Sequence, residues 1–348
     1  MLSKHNESES QLKLKNKRLT LSIAMYTFNG ADYLPEQLDS ITKQIRLPDE
    51  LIVCDDDSTD MTLQILNNFR KNASFQVKIY YNIERLGPTK NFEKAIILCT
   101  GDIIVLSDQD DVWLSHKIEK LEHIFKSNPD IGYIFSNAIL FDENISPFNY
   151  TLWDSIPFTI NQREKFKKGY QVEILLKRNV VTGATMTFRK ELKELILPIP
   201  IQWMHDEWIA LLASAVGARG IFIEEPLIKY RQHIQQAIGG KRMNLVEQII
   251  KAYNIKELYY KNMPDRYKYA LDRLALSNKL TKHNKMLFLA KIKHFQTRQS
   301  LHNQPRWRRF NRIMFKEIMS GQYDKYSNGW KNIMKDLFFT IIFFVFTR

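Results

Sequence analysis

Cysteine is almost missing from this chain: there are two in 348 residues, Cys54 and Cys99. Two cysteines cannot make a disulfide framework, and neither belongs to a C-x₂-C pair of the zinc-site type. Such usage fits a reduced compartment. Glycine (12) and proline (11) are also sparse, which excludes collagen-like and low-complexity chains. No segment is apolar for the ~20 residues a membrane-spanning helix needs. The apolar end, Leu337–Phe346, is ten residues long. The first twenty residues hold no apolar core of the kind a secretory signal requires, so the expectation is a cytoplasmic protein. With 44% hydrophobic and 26% charged residues, the composition is that of a globular protein. The length suits two domains, or one large α/β domain with an extension.

Acidic charge is scarce in one part only. Residues 241–348 carry 23 Lys and Arg against 7 Asp and Glu, a net of +16, whereas residues 1–240 have a net of −3. A basic region of this size implies an anionic counterpart, either nucleic acid or anionic lipid.

Apolar runs and helical stripes alternate through residues 20–110. Leu21–Met25, Leu51–Cys54, Val77–Tyr81 and Ile103–Leu106 read as strands. Between them, Leu34, Leu38 and Ile41, then Leu63, Leu66 and Phe69, then Phe92, Ala95 and Ile96 recur at helical spacing. Strands that are continuously apolar rather than alternating predict a parallel sheet buried on both faces, and ligands of such sheets sit at the carboxyl ends of the strands. Further on, Gly132–Ser136, Ile139–Phe141, Val181–Phe188, Ile221–Ile223 and Pro226–Tyr230 read as strands, and Trp203–Gly217 as a helix with a polar start. Gly239-Gly240 marks a boundary, after which the chain reads as helical, basic and aromatic.

Carboxylates collect at two of the strand ends. Asp108-Gln109-Asp110-Asp111 follows the fourth strand. Three neighbouring carboxylates repel one another unless a cation neutralises them, and one or two carboxylates plus substrate phosphates is the usual setting for Mg²⁺ or Mn²⁺. The plainer alternative is a solvated turn, or a helix over Trp113–Phe125 capped by Asp111. Asp55-Asp56-Asp57-Ser58 follows the second strand. A carboxylate there suits a nucleobase imide or ribose hydroxyls, and the alternative is capping of the next helix by Asp57 or Ser58. His205-Asp206-Glu207-Trp208 opens a helix, where a carboxylate is either a cap or a proton acceptor. Arg231-Gln232-His233 ends a short strand and suits a diphosphate or a metal, or is a surface basic pair.

Taken in order, LSIAMYTFNG (21–30), LIVCDDDSTD (51–60), LGPTKN (86–91), GDIIVLSDQDDVW (101–113), NVVTGATMTFR (179–189), HDEW (205–208) and EPLIKYRQH (225–233) resemble the inverting family 2 glycosyltransferases of GT-A fold, in particular their rhamnosyltransferase-like bacterial branch. The resemblance covers roughly residues 19–240. It implies an α/β fold with a mostly parallel Rossmann-like sheet flanked by helices, divided into a nucleotide-binding half (19–113) and an acceptor half (114–240). Outside it lie a polar tail (1–18) and the basic helical region (241–348), with a candidate membrane-surface anchor at 337–346.

The resemblance also implies roles. Asp56 matches the residue that reads the nucleobase, and Thr27, Phe28 and Asn29 match part of the nucleotide pocket. Asp108 and Asp110 match the D-x-D motif, with Asp110 as metal contact and Asp108 nearer the ribose and diphosphate. Asp206 matches the catalytic base. Arg231 lies where the family closes over the diphosphate, and His233 is a second metal contact. The implied cofactor is Mg²⁺ or Mn²⁺. The implied partners are a nucleotide-sugar donor, with dTDP-rhamnose first and UDP-hexose or UDP-N-acetylhexosamine second, and a lipid-linked saccharide acceptor at the inner face of the plasma membrane. Two places depart from the branch: Glu207 stands where an aromatic is usual, giving a second carboxylate beside Asp206, and Tyr26 replaces a small residue.

Two other readings compete. A sugar-nucleotide pyrophosphorylase shares the nucleotide-binding core, but the Gly-rich basic phosphate loop it needs is missing. A nucleic-acid-binding module would use Arg306-Trp307-Arg308-Arg309-Phe310, which interleaves charge and aromatics. The same pattern suits a membrane interface, and the apolar end favours an anionic membrane surface over nucleic acid.

Overall fold

Apolar runs that stop at acidic turns set the plan of the sheet. The computed structural model describes residues 18–142, 146–156, 158–232, 256–302 and 312–341. Most of the polar tail, His233, the Gly239-Gly240 boundary, the Arg306–Phe310 segment and the end of the apolar stretch (342–346) lie outside the described residues. The chain begins β1 (Leu21–Thr27), α1 (Leu34–Thr42), β2 (Glu50–Asp55), α2 (Thr62–Asn72), β3 (Gln76–Tyr81), α3 (Pro88–Leu98) and β4 (Ile103–Ser107). These four strands pair in parallel in the order β3-β2-β1-β4. Almost every residue of β1, β2 and β4 is buried, as the unbroken apolar runs require. The helical stripes are the inner faces of their helices: Leu34, Leu38 and Ile41 of α1 and Phe92, Ala95 and Ile96 of α3 are buried.

The rest of the sheet is mixed rather than parallel. Next come β5 (Val112–Trp113), α4 (Lys117–Ser127), β6 (Ile131–Phe141), β7 (Pro147–Thr151), β8 (Thr187–Arg189) and β9 (Arg219–Arg231). Strand β8 runs antiparallel between β4 and β6, β9 is parallel to β6, and β5 closes the far edge antiparallel to β9. Only four residues, the acidic turn, separate β4 from β5, yet β8, β6 and β9 lie between them in the sheet. The curled sheet therefore brings its far edge back to the end of β4.

Several local readings change. Gly132–Ser136 and Ile139–Phe141 are one strand, as are Ile221–Ile223 and Pro226–Tyr230; each pair is joined where the β6–β9 register shifts. Such a bulge tolerates Pro226, which has no N–H for the ladder. Trp113 is in β5, and the helix after it starts at Lys117, so Asp111 does not cap it. Ser58 does not cap α2 either; its hydroxyl donates to Asp55 Oδ2 at 2.6 Å. Val181–Phe188 is not a continuous strand. Gly183–Thr185 forms a 3₁₀ turn, and β8 begins only at Thr187.

The chain forms two compact units. One comprises residues 1–156, 181–209 and 218–240 and holds the whole sheet; the other comprises 157–180, 210–217 and 241–348 and is helical. In the helical unit, Lys291, His294 and Arg298 share one face of the helix Lys282–His302 and are buried. Lys291 donates to the carbonyls of Leu176 and Tyr326, His294 pairs with Glu317 at 2.8 Å, and Arg298 grips Asp336 at 2.7 and 2.9 Å. Tyr323 adds a hydroxyl bond to Asp336 at 2.7 Å. Among the described residues no helix is long and apolar enough to cross a membrane.

Candidate active site

The carboxyl ends of β1 and β2 are bonded into one rim. Thr27 is fully buried, and its hydroxyl donates to Asp55 Oδ2 at 2.8 Å. Asn29 has a positive φ of 43° and accepts the N–H of Thr59 on its side chain at 2.9 Å. Asp56 has no exposed surface. Its carboxylate accepts from the backbone N–H groups of Leu86 (2.7 Å) and Gly87 (3.0 Å) and from Asn82 Nδ2 (3.1 Å). Asp56 thus fixes the loop that leads into α3. Arg85, on that loop, lays its guanidinium 3.6 Å from the centre of the Phe28 ring.

The acidic turn is tied to this rim by its own glutamine. Gln109 accepts from Phe28 N–H at 2.8 Å and donates to Phe28 C=O at 2.9 Å, copying a strand pairing with a side chain. A Cβ at residue 30 would lie 2.3 Å from Gln109 Oε1, so a larger residue there would push Gln109 off the Phe28 backbone. From the other side, Arg231 donates its N–H to Asp111 Oδ1 at 3.2 Å and its Nε to the Asp110 carbonyl at 2.8 Å. Its guanidinium also pairs with Glu36 and lies over the rings of Tyr33 and Phe141.

Electrostatic repulsion is built into the turn. Burial and the charges of Asp110 and Asp206 push Asp108 up to about 8. Burial, Asp110 and Asp108 raise Asp111 well above the usual carboxylate range. A divalent cation would relieve this repulsion, and Asp108 and Asp110 offer the hard oxygen donors that Mg²⁺ or Mn²⁺ prefers. Among the described residues no group of three His, Cys, Asp or Glu side chains could hold a metal alone. Two carboxylates are the share a protein usually gives to a Mg²⁺ site that substrate phosphate and water complete.

Asp206 lies in the first turn of the helix His205–Ala215 and is buried. It accepts Gly183 N–H at 2.9 Å and Glu207 N–H at 2.6 Å. Burial nevertheless raises its carboxyl to about 7; the charge of Glu207 adds to the rise, and the two backbone N–H groups oppose it. His205 stacks on Phe92 with ring centres 4.0 Å apart. Burial lowers its pKa to about 3, so it is neutral.

The structure thus brings Thr27, Phe28, Asn29 and Asp56 to one rim, and Asp108, Asp110 and Arg231 to the turn beside it. The charge of Asp206 acts directly on Asp108. Two of these residues also have tasks within the protein itself. Arg231 is 2% exposed and holds the acidic turn from within, and the Thr27 hydroxyl is spent on Asp55. Sequence reading missed Gln109, Gly183, Arg85 and Lys117. Lys117 had a legible signal, because it lies four residues before Leu121 on the buried face of α4.

The sequence profile described as Glycosyl transferase family 2 matches residues 22–196, half of the chain. The chain belongs to glycosyltransferase family 2. Among similar proteins, an uncharacterized glycosyltransferase of Nostoc sp. is 22% identical over 62% of this chain and 65% of its own length. The dTDP-rhamnosyl transferase RfbG of Shigella flexneri is 25% identical over 64% of this chain and 78% of its own. The UDP-Glc:alpha-D-GlcNAc-diphosphoundecaprenol beta-1,3-glucosyltransferase WfaP of Escherichia coli is 24% identical over 68% of this chain and 87% of its own. The chain spans less than two thirds of the length of the first curated relatives it matches. In fold it is similar to residues 1–349 of S. aureus TarS, crystallised with UDP-GlcNAc, at a TM-score of 0.56 and 15% identity over 92% of this chain and 90% of that one. The fold is GT-A, an α/β architecture with a curled sheet flanked by helices.

Proposed function

We propose that this family 2 member is a metal-dependent inverting glycosyltransferase. It would move a sugar from a nucleotide diphosphate donor to a saccharide hydroxyl during assembly of a bacterial surface polysaccharide. The observation that carries the reading is Asp206: a buried carboxyl poised at about 7, on the opposite side of the sequence from the acidic turn but close enough to raise Asp108. A general base works best with a pKa near the operating pH. In the reaction, the acceptor oxygen forms its bond to the anomeric carbon as the bond from that carbon to the diphosphate oxygen breaks. The acceptor's proton passes to Asp206, and the configuration inverts. Asp110, with Asp108 beside it, would hold the divalent cation, which supplies positive charge to the departing diphosphate.

On the donor side, Asp56 takes three N–H bonds and is fully buried, so it would reach a nucleobase imide only once the Leu86–Gly87 loop gives way. The Phe28 ring with Arg85 above it offers a flat cationic surface beside that site. Arg231 supports the diphosphate side through the turn rather than by contact. The names of RfbG and WfaP favour dTDP-rhamnose or a UDP-hexose as donor and a diphosphoundecaprenol-linked saccharide as acceptor. The partner surface is anionic membrane. In the helical unit Phe315, Met319 and Trp330 are 59%, 70% and 61% exposed and are accompanied by Arg312, Lys316 and Lys331. Of the three acids in residues 312–341, Glu317 and Asp336 bond to His294 and Arg298, and Asp324 is exposed.

The test is release of nucleotide from a panel of dTDP-, UDP- and GDP-sugars, with Mg²⁺ or Mn²⁺ and a lipid-linked oligosaccharide extract. Release from one donor, abolished by chelator and by Asp110→Asn, is expected. Pyrophosphate as product, or absence of both binding and release for every donor, would defeat the reading.

A further inference from the structure

Lys117 occupies a position that is costly for a cation. It is the first residue of α4, at the positive end of the helix dipole, and has no exposed surface. Burial lowers its pKa to about 7, against the pull of Asp111 and Asp108. The ammonium lies 3.7 Å from the centre of the Trp113 ring. Its hydrogen bond reaches across to another part of the chain: Nζ donates to the carbonyl of Ala184 at 3.2 Å.

Ala184 is the middle residue of the Gly183–Thr185 turn, whose first residue gives its N–H to Asp206 Oδ2. The turn is stiff. Thr185 N–H and hydroxyl both bond to the Thr182 carbonyl, at 3.0 and 2.8 Å, and Met186 N–H bonds to the Gly183 carbonyl at 2.8 Å. A stiff turn held at Ala184 cannot rotate its Gly183 amide away from the carboxylate. We propose that Lys117 is a positioning residue for the reaction, fixing the Gly183 amide against Asp206 through the Ala184 carbonyl. The inference rests on Asp206 being the base. It accounts for why a lysine, rather than an apolar residue, holds this buried place beside the acidic turn.

The experiment compares Lys117→Met, Asp206→Asn and the double variant, with amide hydrogen exchange over residues 180–187 as a readout independent of turnover. Lys117→Met is expected to lower kcat by about tenfold or more while the donor KM stays within about twofold, as for a group acting only on the chemical step. In the Asp206→Asn background the same change should alter the residual rate by less than about twofold, because two residues acting through one group are not additive. Exchange at Gly183 should rise by about tenfold in Lys117→Met, with little change in the strands of the sheet. Lys117→Gln, which keeps a donor without the charge, should recover part of both effects. A raised donor KM with unchanged kcat would overturn the proposal and make Lys117 a counter-charge for the turn alone. Full additivity with Asp206→Asn, or unchanged exchange at Gly183, would overturn it as well. If the unmodified protein turned over no donor, the glycosyltransferase reading would fail, and the exchange measurement would still decide whether Lys117 holds the turn.

Discussion

Gly183 and His205 leave no room for a methyl group between them: a Cβ on residue 183 would lie 2.5 Å from His205 Nε2. The imidazole cannot easily retreat, because Phe92 is stacked against it. Gly183→Ala should therefore push the turn away from Asp206 or unseat His205. Overpacking of this kind costs ~1–3 kcal/mol. A melting temperature lower by roughly 3–10 °C and a clear loss of nucleotide release are expected from calorimetry and the donor assay.

Asp206→Asn keeps the shape of the side chain and removes its ability to take a proton. Turnover should fall by ~10²–10⁴, the usual worth of a general base. Donor affinity, measured by titration calorimetry, should stay near that of the unmodified protein. Unreduced turnover would pass the role to another group, with Glu207 the first to test.

The same carboxyl predicts opposite pH trends for rate and stability. Its folded pKa of about 7 lies above the ordinary 3.8. The rate should rise with pH and level off above about 7 as the base ionises. Stability from this group is fully present below about 4 and is lost as pH rises through about 7, since over that window the folded state binds more protons than the unfolded one. His205 pulls the other way. Its folded pKa of about 3 lies below 6.5, so it contributes stability that grows between those values. A pH series of denaturant melts on Asp206→Asn should lose the first trend and keep the second.

Divalent cation binding should depend on the acidic turn. Mn²⁺ with a nucleoside diphosphate should raise the melting temperature of the unmodified protein by mass action. In Asp110→Asn the Mn²⁺-dependent part of that rise should disappear. An equal rise in both proteins would remove Asp110 from the metal site.

Arg231→Met would leave the Asp110 carbonyl without its buried donor and Glu36 without its cation, at a cost of ~1–3 kcal/mol. If Arg231 acts by holding the turn, the variant should bind Mn²⁺ more weakly while its nucleoside affinity changes little. Loss confined to diphosphate affinity, with Mn²⁺ binding intact, would restore direct contact.

The parallel half of the fold was legible because its signal is local. An unbroken apolar run followed by a helical stripe has one economical arrangement, and each strand end was marked by the residue at which hydrophobicity stops. The mixed half was harder to read because long-range pairing decides it. Nothing in the composition of Val112-Trp113 tells that these two residues close the far edge of the sheet, and Gly183 inside an apolar run looks like a strand until His205 is seen against it. The acidic clusters were legible as clusters, but the hydrogen bonds of their members were not. Whether Asp56 faces a ligand or a loop depends on Leu86 and Gly87, thirty residues away, and no spacing rule carries that information. Gln109 went unread for a related reason: it bonds to the backbone of a distant residue, Phe28.

The division of the chain bears on how it can be cut. Residues 157–180 and 210–217 belong to the same compact unit as 241–348, and in that unit Lys291 bonds to the Leu176 carbonyl and Asn284 to the Ala215 carbonyl. A protein ending at Gly240 would contain every residue assigned here to chemistry, yet it would strip these two inner segments of their helical company. Val172, Leu175 and Leu176, now buried, would be left to water. The basic region is thus folded into the middle of the sequence rather than hung from its end. Exchange of such a region between relatives would have to carry three separate stretches together, which makes it a poor candidate for shuffling as a module.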